Sequence, residues 1–205
     1  MKNMLKEAGI LFAITLLSGV LLGFIHELTK DPIAKQQELA VQNACAAVFS
    51  AGEGYEGAAS FREFTPSFDT AFTKELEAQG VRIGRCYEAL SAGGEVMGYV
   101  IESTSSLGYG GDIVLFSGVT AEGVLRDISI LEISETAGLG MRAEEVLVPQ
   151  LHNLHVPEIV YTKTGKTAEN EIDAISGATI TTKAVTGAVN ASLRAAALLR
   201  EGGAM

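Results

Sequence analysis

The residues best suited to chemistry in this 205-residue chain lie in one run near its end. Asp173-Ala174-Ile175-Ser176-Gly177-Ala178-Thr179 continues into Ile180-Thr181-Thr182-Lys183. A glycine turn there delivers a cluster of hydroxyls to the N-terminus of a long helical pattern. The unbonded N–H groups and positive dipole end of such a helix form a natural phosphate site, worth about 0.3–1 kcal/mol when exposed. The run lacks the Gly-Lys-Ser/Thr ending of a Walker loop. The same residues admit a second reading, in which Ser176, Thr179 and Thr181 only cap the helix.

Other reactive side chains are scattered. His152 and His155 are spaced for one helix face, but with no other His or Cys close by they read as a solvated turn rather than a metal site. Cys45 falls on an apolar helical face with Ala40, Val41, Ala44, Val48 and Phe49, as a buried small hydrophobe would. A Cys45–Cys86 disulfide stays open if the domain lies outside the cytoplasm. Two thiols are too few for an iron–sulfur cluster, which takes about four. Glu144-Glu145 fits a solvated helix start, and no Ser-His-Asp or Cys-His set can be assembled from these spacings.

Asp173-x-x-Ser176-Gly177-Ala178-Thr179 resembles the flavinylation motif of the FMN-binding domain family. In that family FMN is joined through its phosphate to the hydroxyl of the final Thr. The resemblance implies covalent FMN on Thr179, with Asp173, Ser176, Gly177 and Ala178 as the recognised surroundings and Thr181 and Thr182 close to the phosphate. It also implies a separate, magnesium-dependent flavin transferase with FAD as donor. A second segment, Glu135-Thr136-Ala137-Gly138-Leu139-Gly140, is similar to the Glu-Thr-Pro-Gly-Leu-Gly loop of the RnfG and related NqrC subunits. There the Thr and Leu contact the isoalloxazine, which points to Thr136 and Leu139, with Glu135 and Gly138 in the same loop. Ala137 departs from the family Pro, which bears on loop rigidity rather than on the contact. Gly108-Tyr109-Gly110-Gly111-Asp112-Ile113 is similar to a Gly-Tyr-x-Gly-x-Ile segment of the family; Tyr109 either approaches the flavin or belongs to a plain turn before a strand.

This resemblance runs over nearly the whole chain, and the compact length favours the RnfG type over the longer NqrC type. It implies an electron-carrying subunit of a membrane complex, working with the other subunits of that complex, that couples ferredoxin:NAD oxidoreduction to sodium or proton movement. It also implies that the soluble domain lies on the extracytoplasmic side. Two other readings stay open. One is the covalent-FMN subunit of a sodium-pumping NADH:quinone reductase; the other is an unflavinylated, membrane-anchored assembly or sensory module.

The elements that must position these residues are legible from pattern. Ala8 to Ile25 contains no charged residue, about 27 Å of helix at 1.5 Å per residue, close to the thickness of a bilayer core. The run is longer than a signal-peptide core and no small-x-small cleavage site follows, so it reads as an uncleaved anchor over residues 1–30. Lys2 and Lys6 before it nearly balance Lys30 and Lys35 after it, so charge does not set its orientation. Gly19-x-x-x-Gly23, with Thr15 and Ser18, allows close packing against a partner helix.

Asp31-Pro32 predicts the start of a second helix, with Asp as cap and Pro in its first turn. Residues 31–205 then form the FMN-binding domain. Gly52 to Phe72 has no steady period. Hairpins are predicted at Val81–Leu90 with Glu95–Ser103, and at Ile113–Thr120 with Val124–Ile133. A short helix around Ala143–Leu151, a strand at Ile159–Thr164 and a final helix at Thr181–Leu199 complete an α+β fold, an antiparallel sheet flanked by helices.

Charge excludes other classes. The net charge is −10 and the mean hydropathy +0.26, an odd pairing that resolves once the chain is divided. Lys2, Lys6 and Glu7 give the first 25 residues +1, so the remainder carries −11. No basic surface is available for phosphate backbones, which excludes a nucleic-acid partner, and equally a polybasic membrane reader.

Overall fold

The computed structural model describes residues 2–50 and 56–202; residues 52–55 of the aperiodic connector, and the side chains of Lys2, Asn3 and Leu5, lie outside the described residues. The chain divides into two compact units, Met1–Val41 and Gln42–Met205. Helix α1, Lys2–Val48, begins in the first and ends in the second. Its apolar side chains between Ile10 and Ile25, among them Phe12, Leu17, Leu22 and Phe24, are exposed. The helix is long and apolar enough to cross a membrane.

Asp31-Pro32 does not start a new helix, contrary to the sequence expectation: Pro32 lies inside α1. An Asp-Pro pair caps a helix only where the preceding turn is not already helical. Here Leu28 loses the donor to its carbonyl, a defect of about 3 kcal/mol in a helix interior. Strong helix formers flank the site, with Glu27 and Leu28 before it and Ala34 through Ala40 after it. The uninterrupted hydrogen bonding on both sides offsets the single break.

The second unit is built on a five-stranded antiparallel sheet in the order β1-β2-β3-β4-β5. The strands are β1 Ser60–Phe64, β2 Val81–Leu90, β3 Val96–Ser105, β4 Ile113–Thr120 and β5 Leu125–Glu132. Both hairpins expected from the sequence are present. β1, and helix α2 at Thr70–Ala78, are not foreseen by pattern, since β1 is short and largely exposed. Helix α3, Ala143–Val146, is flanked by two single 3-10 turns, and α4 covers Thr179–Arg200.

One sheet face is closed by α4. Its Val185, Ala188, Val189, Ala195, Ala196 and Leu199 are buried in a core shared with Cys86, Ile101, Leu115 and Val119. Each such Val or Leu is worth about 1.5–3 kcal/mol on burial, and the alanines let the helix axis approach closely. Ser192 Oγ donates to Ser103 Oγ at 3.2 Å inside that layer, fixing the height of α4 along β3.

The opposite face takes the last turns of α1. Ala44, Cys45, Val48 and Phe49 are buried there, with Phe49 edge-on to Phe61 at 6.5 Å. Gly118 makes room for them: a Cβ at this position would lie 2.6 Å from the Val48 carbonyl oxygen. Cys45 and Cys86 therefore lie on opposite sides of the sheet, and no disulfide joins them. Burial, with a smaller contribution from the Glu102 carboxylate, pushes the Cys86 thiol up to about 12.

Two very short strands lead into α4. The strand expected at Ile159–Thr164 is present as β6 Val160–Thr162; it pairs in parallel with β7 Glu171–Asp173, a three-residue run that sequence alternation could not reveal. Side-chain amides extend both strands. Asn190 accepts from Ile159 N at 2.7 Å and donates to Ile159 O at 2.8 Å. Gln150 accepts from Asp173 N at 2.7 Å and donates to Asp173 O at 3.2 Å. Between the strands Glu171 accepts from Thr167 N, Thr167 Oγ1 and Ala168 N at 2.7, 2.7 and 3.1 Å.

Two outcomes follow from this packing. Gly118→Ala should cost about 1–3 kcal/mol through overpacking against backbone, lowering the melting temperature by roughly 2–4 °C per kcal/mol for a unit of this size; an unchanged melt would mean that the end of α1 is not seated on the sheet. The hydrogen bonds from Thr167 and Ala168 hold the Glu171 carboxyl below its ordinary value of 4.5. A depressed carboxylate pKa contributes fully above the unfolded value and is lost as pH falls through the folded one. The amide shifts of Thr167 and Ala168 should therefore titrate with a midpoint below 4.5, and Glu171→Gln should abolish the transition; a midpoint at or above 4.5 would refute the turn.

Candidate functional site

Three connecting segments converge on the first turn of α4: the β3–β4 loop, the segment after β5, and the turn that closes the strap from β7. Glu135 joins them. Its Oε1 accepts from Tyr109 N at 2.7 Å and Gly110 N at 3.4 Å. Its Oε2 accepts from Thr181 Oγ1 at 3.0 Å. Gly140 permits this approach, because a Cβ there would lie 2.5 Å from Thr181 Oγ1 and 2.7 Å from Glu135 Cβ.

The segment after β5 is shaped by a four-residue turn. Leu139 N donates to Thr136 O at 3.1 Å, and Gly138, in the third position, has φ +77°. That is the glycine position of a type II turn, in which the second position favours Pro. Ala137 occupies that second position, and the closing hydrogen bond forms without the ring. Leu139 is thereby presented at the surface, 40% exposed.

The start of α4 carries no side-chain cap. Ala178 occupies the position before the helix and makes no side-chain capping hydrogen bond. This corrects the reading of Ser176, Thr179 and Thr181 as caps. The Thr181 hydroxyl is spent on Glu135, and Thr182 is turned inward, accepting from Ile175 N at 3.1 Å and donating to Ala178 O at 3.0 Å. The first intrahelical bond runs from Thr182 N to Ala178 O, so among the described residues the N–H groups of Thr179, Ile180 and Thr181 have no acceptor. Thr179 is half-buried at the first helical position.

These parts enclose a cleft of about 520 Å³, within the 300–1,000 Å³ range typical of ligand sites. Tyr109, Glu135, Thr136 and Leu139 line one side; Gly177, Ala178, Thr179 and Thr181 line the other. Eight of the twelve residues singled out from the sequence thus share one cavity. The remaining four lie near it: Gly138 is at the back of its turn, Thr182 is buried beneath the helix start, Ser176 is exposed on the turn, and Asp173 is exposed at the end of β7. Gly140 and Ile180 also line the cleft. Ile180 had a legible signal, an apolar residue falling between the inward positions of the final helix and left 51% exposed.

The cleft suits FMN by its chemistry. Unbonded N–H groups face a phosphate position at the helix start, and Tyr109, Leu139 and Ile180 offer apolar surface for a flat ring. The two histidines do not enter it: His152 Nδ1 lies 3.3 Å from Asp127 Oδ2, and among the described residues no three metal-binding side chains gather.

Comparison with known proteins finds matches over the cleft and over the start of the chain. The FMN-binding domain family matches residues 108–194, a stretch holding all three cleft segments, and the RnfG N-terminal region matches residues 1–48. The chain is 41% identical over 103 residues to a subunit of the Na(+)-translocating ferredoxin:NAD(+) oxidoreductase complex of Acetobacterium woodii, covering 49% of this chain and 50% of that protein, so it spans about half the length of that relative. It is 29% identical over 189 residues to the corresponding subunit of the proton-translocating complex of Clostridium ljungdahlii, covering 88% and 89%. The fold resembles that of Shewanella oneidensis NqrC, with a TM-score of 0.55, 14% identity and coverage of 77% and 91%. One match at its start and another across its cleft thus give the chain a segment similar to the RnfG N-terminal region and a segment similar to the FMN-binding domain.

Proposed function

We propose that this chain is the flavin-carrying subunit of an Rnf-type membrane complex, holding FMN as a phosphoester on Thr179 and relaying electrons while ferredoxin and NAD are interconverted and sodium or protons are moved. The observation that carries this reading is the placement of Thr179. Its hydroxyl makes no hydrogen bond among the described residues, and it opens a 22-residue helix whose first N–H groups are unbonded, on the wall of an apolar-rimmed cleft. A phosphate on that oxygen would replace the missing cap.

Attachment is the work of a separate flavin transferase acting on FAD. Thr179 would supply the hydroxyl that takes the FMN half of FAD, with AMP as the leaving group and the hydroxyl proton passing to the transferase. Asp173, Ser176 and Gly177 are exposed where such an enzyme would read them. Once bound, FMN supplies the electron chemistry. The chain's own task is to orient it: Thr136, Leu139 and Tyr109 would hold the ring, and Thr181, fixed by Glu135, would serve the phosphate end. Thr182 supports the turn from below.

Residues 1–30 serve as the anchor and residues 31–205 as the carrier domain, on the extracytoplasmic side. A helix uncharged from Ala8 to Ile25 offers no path for an ion, so the coupling machinery belongs to partner subunits.

Intact-mass measurement after expression with the transferase should show an FMN-sized increment that Thr179→Ala removes; an unmodified parent protein would overturn the covalent reading. Protease added to intact cells should digest the carrier domain, and complete protection there would place it in the cytoplasm instead.

A further inference from the structure

The cleft residue with the widest reach is the one carboxylate in its wall. We propose that Glu135 is the positioning residue of the site, and that its fixed negative charge makes the cofactor harder to reduce. The proposal rests on the reading of the cleft as a flavin site and adds a role that the cofactor contacts alone do not give.

Glu135 spends both oxygens on separate elements. Oε1 takes two backbone N–H groups from the loop that carries Tyr109; Oε2 takes the hydroxyl of Thr181, two residues after the attachment position. Tyr109 is 71% exposed, and this carboxylate bridges its loop by hydrogen bonds to the first turn of α4. The side chain is only half-buried and has no cationic partner among the described residues. It is therefore a net negative charge on the wall of the same cleft that receives electrons. Fixed charge a few ångströms from a redox group, partly shielded from water, opposes the addition of further negative charge.

Two substitutions separate the geometric role from the electrostatic one. Glu135→Gln keeps an oxygen for Tyr109 N and Gly110 N and an amide that can donate to Thr181 Oγ1, but removes the charge. Glu135→Ala removes both. In the unloaded protein, Glu135→Ala should speed amide exchange at Tyr109 and Gly110 at least tenfold, while Glu135→Gln should not; unchanged exchange in the alanine variant would overturn the positioning role whether or not flavin is attached. In protein carrying the FMN-sized mass, Glu135→Gln should shift the one-electron reduction equilibrium about tenfold toward the reduced form, 59 mV more positive. A potential equal to the parent's in Glu135→Gln would overturn the electrostatic role. Failure of the underlying flavin reading shows up differently, as absence of the mass increment in the parent.

Discussion

The seating of α4 on the sheet is the constraint to which the cleft is referred. An Ala- and Val-rich face buried over β2, β3 and β4 holds the helix axis at a fixed height, and the Ser192–Ser103 hydrogen bond removes freedom to slide along β3. The first turn of the helix is then a rigid platform. The two loops that meet it are attached to strands of the same sheet, one between β3 and β4 and one leaving β5. Their approach to Thr179 is set by strand register as much as by their own sequences. Site geometry in this molecule is an outcome of core packing, and the Glu135 hydrogen bonds are a final adjustment upon it.

What was legible in the sequence follows from which physical signals are local. The hairpins around Ser91–Gly94 and Ala121–Gly123 combine long alternating strands with glycine turns, and both appear with boundaries within two residues of expectation. The final helix carries a sustained helical period, so its existence was plain, although its start at Thr179 rather than Thr181 was not. The uncapped start was hidden because hydroxyl residues before a helix ordinarily mean capping, and only tertiary structure shows Thr181 committed to Glu135 and Thr182 committed to the turn behind it. Pro32 misled for the complementary reason: a boundary signal was read without the helical content on both of its sides. The strand expected at Ile159–Thr164 appears as β6, whereas its partner β7 has three residues and gains its order from the amide of Gln150, a contact that no periodicity encodes.

Two anionic demands meet at one helix end. The Glu135 carboxylate already lies at the first turn of α4, where the helix dipole favours negative charge, yet it takes the Thr181 hydroxyl rather than the backbone N–H groups. Those N–H groups remain for a second acceptor. A carboxylate capping the helix directly would have filled the phosphate position, whereas one held off by a threonine hydroxyl and two loop amides leaves it open. Thr181 thus keeps the Glu135 carboxylate on a hydroxyl and off those N–H groups. The substitution of a family Pro by Ala137 is tolerated for a related reason, since the turn is closed by the Leu139–Thr136 hydrogen bond and by Gly138, and does not depend on the ring for its shape.

The charge distribution bears on how labour is divided in the assembly proposed for this chain. Relatives similar to it are subunits of a sodium-translocating complex in one organism and a proton-translocating complex in another. A subunit of this kind is compatible with either ion if it carries no part of the ion path. The present chain meets that condition on physical grounds. Its apolar helix offers no charged or titratable group between Ala8 and Ile25, and the carboxylate in the lining of the cleft is that of Glu135. On the reading proposed for the cleft, the effect of Glu135 is on the energy at which an electron is held. Ion choice can then change in partner subunits without any change in the cleft, which is the arrangement expected if electron transfer and ion transfer are coupled through the potential of the carrier rather than through shared residues.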